Sequence, residues 1–428
     1  MKALLVTHGT RGDVQPFLAL ALALRAAGHD ARLAAPESFA AQAHEHGVEF
    51  AALDEGPNRL MADPVVREAI GNGYRGVRGK ISAVRTAKRI TPLIADVLRD
   101  LSERAREGGT VDMVVHSPTL PAQHIAEMLG VPAVLATLQP GWVPSSQFPC
   151  PMLPLPRVPK AFNRATYLAV SATLRSQAGV ANTWRTTELG LPARRRGHDL
   201  LHDADGAHRL VLQAFSPHVA QVDPAWPQNV RTTGFWFLPA ADSWSPSEQL
   251  RRFLDAGPPP VYIGFGSMAG PQASRTGTIV ADAVRRAGVR AVLATGWGGL
   301  GETESSDEIL VIDQAPHDWL FPRTSAIVHH GGAGTTAAAL ASGRPQVVCP
   351  FVADQPHWAQ RMHAVGVAPE PVRQQQLTNE RLAAAITKAL STKETADNAT
   401  RLAKVIRAQN GAHTAVRALE EHLDHAQS

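Results

Sequence analysis

Short apolar and β-branched runs alternate along this chain with longer stretches rich in alanine and leucine. KALLVTH, residues 2–8, reads as a strand, and PFLALALALRAAG follows as a helix with Pro16 in its first turn and Gly28 at its end. ARLAAP predicts the next strand, and DMVVHSP and PAVLATL two later ones. A second series holds PPVYIGFGSM, VRAVLATG, EILVIDQAP, TSAIVHH and PQVVCPF, five strand candidates, most followed by a helical stretch. Strands alternating with helices build parallel sheets from βα units, so the fold class is α/β.

Between the two series lies SPHVAQVDPAWPQNVRTTGFWFLPAADSWSP, which has little periodicity and many breakers. At 428 residues the chain also exceeds the size at which one core keeps growing. Two doubly wound domains are expected: residues 1–216, a linker over 217–245, and residues 246–428, whose last helix is a candidate to pack back on the first domain.

Composition narrows the class. A hydrophobic fraction of 44% is ordinary for a globular chain. Cys150 and Cys349 form neither a disulfide framework nor a metal-type spacing, which points to a reducing compartment. The net charge of +4, from 42 basic and 38 acidic residues, is too diffuse to indicate nucleic acid. Its densest cluster, Arg194, Arg195 and Arg196 after Pro192, reads either as a solvated loop or as a weak attraction to an acidic ligand or membrane surface. MKALLV is too short for a signal peptide or a membrane span, so a cytoplasmic protein is expected.

In open α/β sheets ligands bind outside the carboxyl ends of the strands. That rule selects the loops after His8, His116, Ile263, Thr295 and His330. The last is the most distinctive: SAIVHHGGAGTTAAALASGRP passes from an apolar run through His329 and His330 into Gly331, Gly332, Ala333 and Gly334. Glycines let backbone N–H groups approach a ligand, and a helix starting near Thr335 would aim its positive end there, which describes an anion site, most simply one for phosphate. Thr335 and Thr336 serve equally as plain N-caps, and His330 as a packed strand-end residue. Asp354 and Gln355 stand at a strand-to-helix junction, where Asp354 alone suits a cap. Trp297, flanked by glycines in ATGWGGL, either packs or stacks on a ligand.

HHGGAGTTAAALASGRPQVVCPFVADQPHWAQRM, Ser267 in GFGSM, DQAPHDWLFPR and GTRGDVQP together resemble the inverting glycosyltransferases of family 1 with the GT-B fold. The similar branch contains sterol glucosyltransferases and the transferases that decorate glycopeptide and polyketide antibiotics. NTWRTTELGLP, AFSPHVAQ and WPQNVRTTGFWF extend the resemblance over most of the chain. It implies two Rossmann-like domains facing across a cleft, an NDP-sugar on the second and a hydroxyl-bearing acceptor on the first. His330, Gly332, Gly334, Thr335 and Thr336 would then hold the diphosphate, with Ser267 beside it. Asp354 and Gln355 would bond sugar hydroxyls. Gln314 stands where the family's plant branch has a tryptophan, so contact with the base falls to Trp297 and to backbone near Pro316 and His317. The family needs no metal, and the sequence has no D-x-D-type cluster placed to bind one. The NDP-sugar is a co-substrate, and no cofactor is implied.

The acceptor hydroxyl needs a base. Many family members place a histidine three residues before a proline at the start of the first helix; here Asp13 holds that position in GDVQP. Asp13 is either that base or a helix cap, and His8 is its competitor. His116 falls where histidine-based relatives carry a carboxylate, which suggests a reversed Asp13–His116 dyad or a buried structural histidine. The expected activity is inverting transfer of a hexose, UDP- or TDP-activated, to a small lipophilic or polycyclic acceptor. An NAD(P)-dependent oxidoreductase is the rival from another class, weakened because HGTRGDV is not G-x-G-x-x-G. An NDP-sugar epimerase of the same fold and a noncatalytic partner subunit are further alternatives.

Overall fold

A computed structural model describes residues 1–62, 76–153, 155, 158–194, 199–203, 205–266, 273–295 and 305–427. Ser267 and Trp297 lie outside the described residues, as do Arg195 and Arg196. The chain divides into two units. One takes in the described residues up to Leu238 together with the C-terminal segment from Gln409; the other runs Pro239–Ala408.

The first unit is built on a seven-stranded, all-parallel sheet of order β3-β2-β1-β4-β5-β6-β7. Its strands are β1 (Lys2–Val6), β2 (Asp30–Pro36), β3 (Glu49–Leu53), β4 (Met113–His116), β5 (Ala133–Thr137), β6 (Val211–Gln213) and β7 (Val230–Thr232). Helices cover both faces, which is why the inner strands read as unbroken apolar runs. Ala3, Leu5, Leu33, Met113, Val115 and Val134 enter one core with helix α1 (Arg11–Ala26). Leu4, Val6, Ala34, Val114 and Ala133 enter the opposite one, with Val97, Leu98 and Leu101 of α2 (Gly76–Glu107) and Ile125 and Ala126 of α3 (Gln123–Leu129).

Two expectations need correction. Helix α1 begins at Arg11, ahead of the predicted start, so Pro16 falls in its second turn. The cause is a T-x-x-D cap, with Asp13 reaching back to Thr10. The stretch read as a linker also holds β7, an edge strand paired with β6, and places Trp236 in the first core; the boundary therefore falls after Leu238. Its prolines and tryptophans mask a strand of three residues.

In NTWRTTELGLP, Arg185 of α4 (Ala178–Thr187) is 1% exposed and bonds Glu127 of α3 at 3.0 Å through Nη2. Burial alone would raise the Glu127 carboxyl, but Arg185 and Arg194 outweigh it and hold the pKa near about 2. This motif is scaffold.

The second unit carries a five-stranded parallel sheet of order β10-β9-β8-β11-β12. Its strands are β8 (Val261–Gly264), β9 (Ala291–Ala294), β10 (Ile309–Ile312), β11 (Ala326–His329) and β12 (Gln346–Val348). Val261, Ile263, Leu293, Val328 and Val347 pack on one side with Val280 and Val284 of α5 (Ala273–Ala287). Tyr262, Val292, Leu310 and Ile327 face the other side, with Ala339 of α6 (Ala333–Ser342). Helix α7 (Gln355–Ala364) follows β12. Near the chain's end, α8 (Asn379–Ser391) and α9 (Lys393–Ala408) complete this unit. Helix α10 (Gly411–Gln427) returns to the first unit, where Ala415, Val416 and Leu419 join the core beside α1 and Glu420 pairs with His29 at 2.8 Å. Among the described residues, no helix is long and apolar enough to cross a membrane.

Candidate functional site

In the second sheet the chain runs from β8 outward through β9 to β10, then resumes on the other side of β8 with β11 and β12. The switch point lies between β8 and β11, where their carboxyl ends diverge and leave a crevice. His329 at the end of β11 pairs in register with Gly264 at the end of β8, so the turns after both strands open there.

The two histidines do different work. His329 is wholly buried: its Nδ1 accepts the Gly331 amide at 3.1 Å, and its Nε2 lies 2.9 Å from Gln346 Oε1. His330 is half-buried and lies between two glycines. A Cβ on Gly332 would come within 2.5 Å of its Nε2, and one on Gly266 within 3.2 Å of its Cε1. Gly331 has φ +88°, and a side chain there would press on Val348 and the Gln355 carbonyl. The run of residues with almost no side chain thus seats one imidazole and bends the chain around it.

Burial and the neighbouring His329 push the His330 pKa down to about 3, so the ring is neutral near pH 7 and offers one N–H and one lone pair. Its Nδ1 is buried with no hydrogen-bond partner among the described residues. Helix α6 has Gly332 at its N-cap and no side-chain cap, and its first bond is Thr336 N–H to Gly332 O at 2.9 Å. The amides of Ala333, Gly334 and Thr335 precede that bond and are left for an outside acceptor. Gly334 is exposed and Thr335 half-buried, whereas Thr336 is fully buried, its Oγ1 without a hydrogen-bond partner among the described residues. Unspent amides, a helix dipole and a neutral imidazole can together hold an anion.

After β12, Gln355 Oε1 accepts the amides of Phe351 at 2.8 Å and Val352 at 3.2 Å, so the backbone occupies its oxygen and it has only N–H groups to offer. Asp354 is half-buried and accepts Trp358 Nε1–H at 2.9 Å. Between Val352 and Asp354, Ala353 takes φ +57°, a conformation that costs an alanine roughly 1–2 kcal/mol. After β10, Gln314 is exposed and Pro316 leads into a short helical turn. His317 stacks on Phe321 with ring centroids 4.2 Å apart.

The first sheet repeats the topology. Its switch point lies between β1 and β4, and Val6 pairs in register with His116. Asp13 is half-buried; its Oδ2 accepts the Thr10 amide at 2.8 Å and the Thr10 hydroxyl at 3.1 Å, leaving Oδ1 without a bond. Burial raises the carboxyl above its ordinary value, and the Thr10 bonds oppose that rise. His8 is buried and its Nε2 meets the Asp54 carbonyl at 3.1 Å, so that nitrogen carries the proton. Burial lowers its pKa, against the Asp54 carbonyl and the charges of Glu55 and Asp54.

His116 is fully buried and its Nδ1–H donates to the Ser117 carbonyl at 3.0 Å. Burial first, then Arg209, lowers its pKa to about 4. No hydrogen bond joins Asp13 to His116: the carboxylate is bent back onto Thr10 and the imidazole onto its own strand end. The reversed dyad is therefore not formed. The sequence reading also missed Gln346 as the partner of His329.

Residues 3–145 match the glycosyltransferase family 28 N-terminal domain, and residues 301–421 match the erythromycin biosynthesis protein CIII-like C-terminal domain. A sterol 3-beta-glucosyltransferase of Arabidopsis thaliana is 33% identical over 430 residues, covering 99% of this chain and 68% of its own. The sterol 3-beta-glucosyltransferase of Leptosphaeria maculans is also 33% identical, over 99% of this chain, but this chain spans only 29% of its length. Among solved structures, the glycotransferase of kitacinnamycin superposes with a TM-score of 0.67 at 21% identity, covering 98% of each chain. The glycosyltransferase VinC, solved with dTDP, superposes with a TM-score of 0.63 at 18% identity over 99% of this chain and 100% of its own. The oxidoreductase reading is thereby overturned: two doubly wound sheets with their distinctive residues at the two switch points, and a third of all positions shared with the plant relative, place the chain among the GT-B glycosyltransferases of family 1, in the branch that takes in sterol glucosyltransferases and the transferases of antibiotic biosynthesis.

Proposed function

We propose that this protein transfers a hexose from a nucleoside diphosphate to a hydroxyl of a small lipophilic or polycyclic acceptor, with inversion at the anomeric carbon and without a metal ion. The observation that carries this reading is the uncapped start of α6 with His330 seated between Gly266 and Gly332. The leaving group is a diphosphate, and its growing charge must be met where it develops. The amides of the turn through Gly334 and Thr335, together with an N–H of His330, suit that task. Asp354 and Gln355 would meet the sugar hydroxyls, one as acceptor and the other as donor. Gln314, Pro316 and His317 would border the base.

Asp13 acts as general base. Its free Oδ1 takes the acceptor proton while the acceptor oxygen attacks the anomeric carbon and the bond to the diphosphate breaks, giving inversion in one displacement. His8 is the weaker choice, because burial lowers its basicity and, with Nε2–H given to the Asp54 carbonyl, only Nδ1 is left to take a proton. The dTDP held by VinC supports a nucleoside diphosphate donor, and the sterol-specific names of the relatives support a lipophilic acceptor.

Incubating the enzyme with UDP- and TDP-hexoses and a panel of sterols, polyketides and flavonoids tests the proposal. Mass spectrometry should find an acceptor heavier by one hexose, with free nucleoside diphosphate. Sugar nucleotide that is epimerised, with no acceptor modified, would overturn it.

A further inference from the structure

A backbone amide only donates, so the Gly331 N–H on His329 Nδ1 fixes that nitrogen as the lone-pair side of the ring. A neutral ring then carries its proton on Nε2, which needs an acceptor, and Gln346 Oε1 stands 2.9 Å away. Gln346 pairs in register with Ile327, two residues before His329 and on the same face of the sheet, so it reaches the ring diagonally from β12. Both side chains are fully buried. The chain Gln346–His329–Gly331 therefore runs from the neighbouring strand through the ring into the first peptide of the anion turn. That peptide precedes Gly332, whose Cα borders the His330 ring and whose carbonyl closes the first turn of α6.

We infer that His329 is a positioning residue: oriented by Gln346, it holds the Gly331 peptide so that His330 and the amides at the start of α6 converge on the donor diphosphate. This rests on the donor reading proposed above. His329 touches no ligand itself. Without the ring nitrogen, Gly331 loses its acceptor, and nothing else described fixes the rotation of that peptide.

Three variants test the role by calorimetry with UDP and TDP, beside thermal melts. In H329N the amide oxygen takes the place of Nδ1 and can still accept from Gly331, although the link to Gln346 is lost. H329L loses both bonds. In Q346M the ring loses its acceptor and is free to move its proton to the side facing Gly331. Both His329 variants should melt lower, but H329L should weaken nucleotide binding by about tenfold or more while H329N stays within about threefold of wild type. Q346M should fall between them. Equal losses in H329N and H329L would mean packing alone, and unchanged binding in H329L would remove the role. Should H329L fail to fold, Q346M decides: weakened binding supports the inference and native affinity overturns it. A wild type that binds neither nucleotide overturns the donor reading and this inference together; a wild type that binds beside an unaffected H329L overturns only this one.

Discussion

The two units place the same junction, a strand-to-helix turn at a topological switch point, to opposite use. In the first, the chain caps its own helix: Asp13 folds back on Thr10, and one carboxylate oxygen remains free. In the second, α6 starts bare, and glycines draw its amides and His330 around an open position. A helix start that keeps its own carboxylate becomes a place to put a base, whereas one left empty becomes a place to put an anion. Under the proposed function, one topology would serve both partners of a group transfer, depending on whether a side chain or a ligand satisfies the helix.

The largest expected effect breaks the first half of that contrast. Asp13→Asn keeps the shape but loses basicity, and a general base contributes about 10²–10⁴-fold, so kcat should fall by that range. Nucleotide binding, assigned to the other unit by the proposal, should hold in calorimetry. Near-native turnover in Asp13→Asn, with loss in His8→Ala, would transfer the role to His8.

The second half is broken by filling the empty turn. Gly332→Val drives a side chain into the His330 ring and across the amides, and UDP or TDP affinity should drop by more than about a hundredfold, the loss of more than one charge-assisted hydrogen bond. Native affinity in this variant would place the diphosphate elsewhere.

Acid should strike both units alike. His116 in the first and His329 in the second have folded pKa values near about 4 against an ordinary 6.5. Below 6.5 the unfolded chain takes up these protons while the folded chain refuses them until about 4. Stability is therefore full above 6.5 and is lost as pH falls through that window, by on the order of 2 kcal/mol per histidine at about pH 5. Asp13, with its carboxyl raised by burial, acts in the opposite direction. Urea melts at neutral pH and at about pH 5 measure the difference, and equal midpoints would mean that these rings are not held neutral.

His330→Ala removes one donor and leaves the turn, so nucleotide affinity should weaken by about tenfold, the lower end for a hydrogen bond to a charged group. The smallest effect expected is none: saturating EDTA should leave turnover unchanged, and a strict requirement for magnesium or manganese would contradict the metal-free reading.

Nine strands were legible as apolar runs because burial on both faces strips them of polar residues. β3 was missed because its FAAL core reads like the alanine-rich helices around it, and the three-residue strands β6 and β7 were missed as well. At the site, the glycines, histidines and threonines after β11 stood out because their spacing suits so little else. The partnership of His329 with Gln346 was hidden, since it depends on the register of two parallel strands. The left-handed Ala353 was hidden too, as an alanine gives no sign of it. The absence of a bond between Asp13 and His116 was hidden as well: Asp13 is held by Thr10 and His116 by the Ser117 carbonyl, local partners that motif logic does not weigh.

The return of α10 to α1 has a consequence for biosynthesis. A ribosome delivers α1 early, yet Ala415, Val416 and Leu419, which finish the core around it, emerge only after the whole second unit has been made. The unit whose strands are made earlier is therefore the later to close its core, and α1 must wait with part of its apolar face uncovered while the unit downstream is free to fold. A nascent chain halted before residue 411 would expose that face, making it the natural point of engagement for chaperones.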